Sequence, residues 1–157
     1  MVWRFLFILS LPILVQPPQS QAGSIAPFEN AKPIGLDSTS YDLAQMGSHY
    51  LAERLYDSAS LYYHKALQYY QANGNRSRIA EVFNNLGVLH FQVGSLDSSI
   101  FYYSAAFDEY SHLKDTAMIS VLQINLGVLY KEKGLYEQAL QYLLSASRYL
   151  EKVDASK

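Results

Sequence analysis

No cysteine occurs in the 157 residues, so disulfides and thiolate metal sites are excluded, as is a lipid anchored on a processed N-terminal cysteine. Charge is also scarce. Charged residues make up 17 % of the chain, 12 basic against 14 acidic, with no block of either sign and a formal net charge of -2. A nucleic-acid binder needs a clustered basic footprint, so DNA and RNA are poor partners for this chain. Half of the residues are hydrophobic, which is the composition of a folded chain, and the length suits one ordinary domain.

With cysteine silent about the compartment, the N-terminus has to supply it. Met1 to Arg4 carries one positive charge, Phe5 to Val15 is apolar apart from Ser10 and Pro12, and Gln16 to Ala22 is polar. That is the anatomy of a secretory signal peptide. The apolar part is shorter than the roughly 20 residues of a membrane span. Ser20 and Ala22 put small residues at the minus-three and minus-one positions of a cleavage site before Gly23. The expectation is a secreted or periplasmic product with no stable membrane insertion after cleavage. An uncleaved signal anchor is the competing reading. Residues 23–36 hold Pro27, Pro33 and two glycines without a period of 2 or 3.6, and read as an extended leader.

From residue 37 onward the chain repeats itself. Asn85-Leu86-Gly87-Val88-Leu89-His90 recurs as Asn125-Leu126-Gly127-Val128-Leu129-Tyr130, and Gly94-Ser95-Leu96-Asp97 as Gly134-Leu135-Tyr136-Glu137, both 40 positions on. The same step backward reaches a degenerate copy, Gln45-Met46-Gly47-Ser48-His49-Tyr50. Three columns agree with this frame: Ala66, Ala106 and Ala146; Tyr62, Tyr102 and Tyr142; Ala59, Ser99 and Ala139. Within a copy, Phe83, Leu86, Gly87 and His90 fall at i, i+3, i+4 and i+7, and Leu96, Ile100, Tyr103 and Phe107 follow at similar intervals, so each copy is two helices. Gly94 and Gly134 suit a left-handed closure of the first helix. Asp57, Asp97 and Glu137 place negative charge at the start of the second. The helices are expected at about 39–53, 56–72, 77–93, 97–113, 116–133 and 136–152. The repeats then occupy about 37–76, 77–116 and 117–152, with 153–157 as a tail.

These columns resemble the tetratricopeptide repeat, in which a large apolar residue and a glycine in the first helix are followed by a ring and then by small residues in the second. The resemblance covers about 37–152 and implies an all-α, right-handed solenoid of three helix-turn-helix repeats. Two features depart from the family pattern. The period is 40 rather than the common 34, and the proline that ends the second helix is absent. The longer period is similar to the branch that includes kinesin light chains and many bacterial regulatory proteins.

Catalytic constellations are missing. His49, His64, His90 and His112 show no ligand-like spacing, and there is no H-E-x-x-H, no G-x-S-x-G elbow and no phosphate-binding glycine loop. His90 stands in a column otherwise filled by Tyr50 and Tyr130, which argues for packing. The tyrosines at fixed positions in the second helices, Tyr62, Tyr63, Tyr102, Tyr103 and Tyr142, read as packing or boundary residues. No enzyme activity, cofactor or metal is expected.

The expected function is protein binding. Stepping back two residues from the packing face rotates by about 200° around a helix, which turns Glu81, Asn84, Asn85 and Val88 outward. The resemblance implies that such faces line a concave surface where an extended peptide lies. Repeat two offers Asn84, Asn85, Val88 and Phe91 there, and repeat three Val121, Ile124, Asn125, Val128 and Lys131. Gln45, Asn85 and Asn125 form an amide column, and a carboxamide pairs with both C=O and N–H of a peptide backbone without regard to its sequence. The competing reading is that these amides bond within the array. Two amides making about four hydrogen bonds contribute about 2–6 kcal/mol, whereas micromolar affinity needs about 8 kcal/mol before ordering costs. Apolar anchors at about 1.5–3 kcal/mol each must add to them, with Val88, Phe91, Ile124 and Val128 as their floor. A second functional reading is the sensory portion of a longer bacterial signalling protein, of the sensor-kinase or transcription-regulator type. Solenoids cover their last repeat with a polar closing helix, and none follows Lys152. Either the third repeat pairs with a second copy of the chain or the natural chain continues past Lys157.

Overall fold

The structure, a computed structural model, describes residues 43–154, with side chains as far as residue 148. The signal segment, the leader, residues 37–42 of the first repeat and residues 155–157 lie outside the described residues. Six helices follow one another: α1 Leu43–Ala52, α2 Tyr56–Ala72, α3 Arg76–Gln92, α4 Leu96–Leu113, α5 Thr116–Glu132 and α6 Tyr136–Asp154. No strand occurs among the described residues. The bounds agree with those expected from periodicity to within two residues wherever both ends are described. Each helix packs on its neighbours in the chain, and α3 also touches α1. Contacts confined to near neighbours are what makes an all-α solenoid of tetratricopeptide-like repeats.

Every turn closes in the same way. After a first helix the chain enters the left-handed region at Arg54, Gly94 and Gly134, and after a second helix at Gly74 and Lys114. The next residue's N–H then reaches back to a carbonyl in the last helical turn: Leu55 to Tyr50, Asn75 to Tyr70, Ser95 to His90, Asp115 to Tyr110 and Leu135 to Tyr130, all between 2.8 and 3.0 Å. This motif satisfies carbonyls that the helix leaves open. Glycine fills three of the five left-handed positions, as its missing Cβ allows. Arg54 and Lys114 fill the other two, and nothing in their residue type announced it. The starts of α3 and α5 are capped by Asn75 and Asp115, whose side-chain oxygens accept from the N–H groups of Arg78 and Met118 at 3.2 and 3.0 Å.

The small-residue columns sit where the helices meet. Ala66, Ala106, Ala59, Ser99, Ala139 and Ala146 are all buried. Ser99 replaces alanine at no cost to hydrogen bonding, because its hydroxyl donates to the carbonyl of Gly87 at 2.8 Å. The glycine column has the closest approach. A Cβ on Gly47 or Gly87 would fall 2.5 or 2.6 Å from the ring of Tyr63 or Tyr103, and one on Gly127 would fall 2.8 Å from Leu143. The core divides into two clusters along the array. One gathers Tyr63, Ala66, Val82, Leu86 and Leu89 between α2 and α3; the other gathers Tyr103, Ala106, Leu122, Leu126 and Leu129 between α4 and α5. Each fully buried leucine contributes about 1.5–3 kcal/mol.

Candidate functional site

The residues expected on the free face belong to α1, α3 and α5. On α5 the expectation is met, since Val121, Ile124 and Val128 are 46, 37 and 39 % exposed. Phe91, near the end of α3, is 41 % exposed, and Gln45 on α1 is exposed. On α3 the face is less open than expected. Asn84, Asn85 and Val88 are half-buried, as is Glu81, and Asn125 on α5 is half-buried too. The reason is position in the array. α3 lies inside it, packed on α2 and α4 and touching α1 as well, whereas the buried stripe itself is the same in both helices, Val82, Leu86, Gly87 and Leu89 on α3 and Leu122, Leu126, Gly127 and Leu129 on α5.

A shallow cavity of about 70 Å³ opens between the second and third repeats. Phe91, Tyr103, Asn125, Val128 and Leu129 line it. Three of these were expected from the sequence, and the cavity brings them together across α3 and α5. Gln45, Asn84, Asn85, Val88 and Ile124 are not part of its wall. Tyr103 and Leu129 were not expected, because both fall on the packing side of their helices, and only the junction of two repeats turns part of them toward the opening. Burial pushes the Tyr103 hydroxyl up to about 12, so it stays protonated across the physiological range.

Two observations bear on the amides. Among the described residues, no hydrogen bond holds the carboxamide of Asn85 or of Asn125. The reading in which these amides bond within the array therefore finds no support. The surrounding charge is sparse: Glu81 is paired with Arg78 at 2.8 Å, and Lys131 is exposed. The face is thus apolar and amide-bearing rather than strongly charged.

The tyrosine columns pack as read. Tyr62, Tyr102 and Tyr142 stack on Tyr50, His90 and Tyr130, with ring centroids 5.2, 5.0 and 5.3 Å apart and planes within 23° of parallel. His90 thus takes a tyrosine's place in the stack. Its Nδ1 is buried without a hydrogen-bond partner among the described residues, and burial, followed by the nearby His64, holds its pKa below the ordinary value. Among the described residues no group of three or more metal-ligating side chains forms, and no helix is long and apolar enough to cross a membrane.

Residues 122–152, which run from the middle of α5 through most of α6, match the tetratricopeptide repeat family. The crystal structure of BtubC (BKLC) from P. vanneervenii is similar, with a TM-score of 0.68 and 27 % sequence identity over 71 % of this chain. The match covers 46 % of that protein, so the chain spans less than half of its length. No curated protein matches the sequence. Both matches support a tetratricopeptide-type family for these repeats, and repeats of this type suggest protein partners.

Proposed function

We propose that the chain is a non-catalytic protein-interaction module that holds an extended segment of a partner along α3 and α5. The observation that carries this reading is the cavity between Phe91 and Val128, with the carboxamide of Asn125, unbonded among the described residues, in its wall. An apolar partner side chain enters the cavity while the amides pair with the partner's backbone. Neither element suffices alone, since the hydrogen bonds fall short of micromolar affinity and a single anchor adds about 1.5–3 kcal/mol. The 40-residue period is proposed to mark the long-repeat variety of the family.

The same proposal puts the binding event outside the cytoplasm, on the strength of the pattern in residues 1–22. An exported product whose intact mass begins at Gly23 supports that part, and a membrane-bound product retaining Met1 removes it. The binding part is tested by replacing Asn85 and Asn125 together with alanine and titrating against the partner captured from the native compartment. Losing about four hydrogen bonds should weaken capture at least about tenfold. Thermal stability should hold, because among the described residues neither amide is hydrogen-bonded and alanine is the better helix former. A stable double variant with undiminished affinity ends the proposal.

A further inference from the structure

The geometry points to threonine as the partner side chain that the cavity between the second and third repeats accepts, with the Tyr103 hydroxyl as the group that selects it. This rests on the binding reading above and narrows its anchor from any small apolar side chain to one that also carries a hydroxyl. Repeat one shows what a tyrosine at this place requires. The Tyr63 ring lies over Gly47, and its hydroxyl donates to Oγ of Ser48 at 3.2 Å, which in turn donates to the Ala44 carbonyl at 3.1 Å. In the next repeat the Tyr103 ring lies over Gly87 with the same three ring carbons nearest, so the two rings share one pose. The residue in the place of Ser48 is Val88, which packs against the cluster that contains Tyr103 and has no polar side-chain atom to offer. The Tyr103 hydroxyl therefore has no hydrogen-bond partner among the described residues, although the residue is only 5 % exposed. In repeat three the ring is replaced by Leu143, which lies over Gly127. The unpartnered phenol thus belongs to the junction that holds the cavity.

The cavity defines what can pair with that hydroxyl. Its polar wall is Tyr103 and Asn125, and its apolar wall is Phe91, Val128 and Leu129. Tyr103 lies deep, whereas Asn125 is half-buried and Phe91 and Val128 are partly exposed. A partner backbone running over the surface meets Asn125 first, and a side chain has to descend to reach Tyr103. No charged residue lines the wall, so a carboxylate or an ammonium would lose water without gaining a counter-charge. Burial keeps the phenol protonated, which makes it a donor to a neutral acceptor. The volume of about 70 Å³ is about half of the ~150 Å³ that holds a benzene ring, which leaves room for about three non-hydrogen atoms. Valine and threonine side chains both have three. Valine would cover the Tyr103 hydroxyl without pairing it, and an unmade hydrogen bond costs more than a made one gains. Threonine has the same shape, meets Phe91 and Val128 with its methyl group, and accepts from Tyr103 with its hydroxyl while donating to the Asn125 carboxamide oxygen. Serine makes the same bonds but leaves the apolar wall unfilled.

The test selects short random peptides from a displayed library on the natively purified chain, then titrates the enriched peptides with threonine, valine or serine at the anchor position. One position should enrich threonine, and the threonine peptide should bind about three- to tenfold more tightly than its valine counterpart. Tyr103→Phe should abolish or reverse that preference while the peptides still bind. The same variant should melt no lower than the parent, because the lost hydroxyl has no partner within the described chain, whereas Tyr63→Phe gives up the bond to Ser48 and should melt lower. Equal affinity for the threonine and valine peptides in the parent overturns the selection and leaves the binding reading standing, and so does a preference that survives Tyr103→Phe. A library that enriches no peptide, or peptides indifferent to the double alanine replacement of Asn85 and Asn125, removes the binding reading and the selection with it.

Discussion

Replacing Gly87 with alanine sets two known effects against each other inside one helix. In an ordinary helix interior the change is favourable by about 1 kcal/mol, since glycine is the poorest helix former after proline. Here a Cβ would stand 2.6, 2.8 and 2.9 Å from three ring carbons of Tyr103. That ring is only 5 % exposed and is packed among Ala106, Leu122 and Leu126, so it has little room to retreat. Overpacking costs about 1–3 kcal/mol, and three simultaneous overlaps put this site in the upper part of that range. The hydrogen bond from Ser99 to the Gly87 carbonyl is also strained if α3 and α4 move apart. The net expectation is a loss of about 1–2 kcal/mol and a fall in melting midpoint of about 4–12 °C by circular dichroism. Tyr103→Ala removes the obstacle, so Gly87→Ala in that background should cost nothing or stabilise. A single variant that melts at or above the parent refutes the close-contact argument, and equal costs in both backgrounds mean that Tyr103 is not the cause.

Lys114→Gly should stabilise the fold by about 0.5–1 kcal/mol, because it relieves a left-handed residue at the position where the preceding repeat has Gly74, less the entropy that glycine adds to the unfolded chain. A chemical-denaturation midpoint that stays put or falls would contradict that account. His90 gives a pH dependence of definite sign. Its folded pKa lies below the ordinary histidine value of about 6.5, so the unfolded chain binds the extra proton, and the stability that neutral His90 contributes is complete above about pH 6.5 and is lost as pH falls below it. The groups responsible are the burying neighbours, with Tyr102 stacked on the ring, and His64 across the gap. His90→Tyr, which restores the residue type of the other two repeats, should flatten the fall in melting midpoint between about pH 7.5 and 5.5. A variant as steep as the parent would mean that another group carries it.

Helix number, helix ends and the small-residue columns were legible because they depend on spacing along one chain. A 40-residue period with apolar residues at helical intervals leaves few ways to bury them, and glycine before a gap in the pattern marks a turn by its backbone freedom alone. The candidate site was legible only in part. Asn125, Val128 and Phe91 could be placed on outward faces by rotation around a helix axis. That Phe91 meets Val128 across the junction of two repeats, with Tyr103 and Leu129 beneath them, follows from how successive helix pairs tilt and stack, which no single helix encodes. The same holds for Asn84, Asn85 and Val88, whose half-burial comes from the helices on either side of α3. Arg54 and Lys114 took up left-handed backbones because the closing hydrogen bonds of their turns require them, against their own preference. The sequence by itself determined which residues share a helix face and repeat in register. Tertiary structure decided which of those faces are covered, because exposure is a property of the space between helices and is set by neighbours distant in the chain.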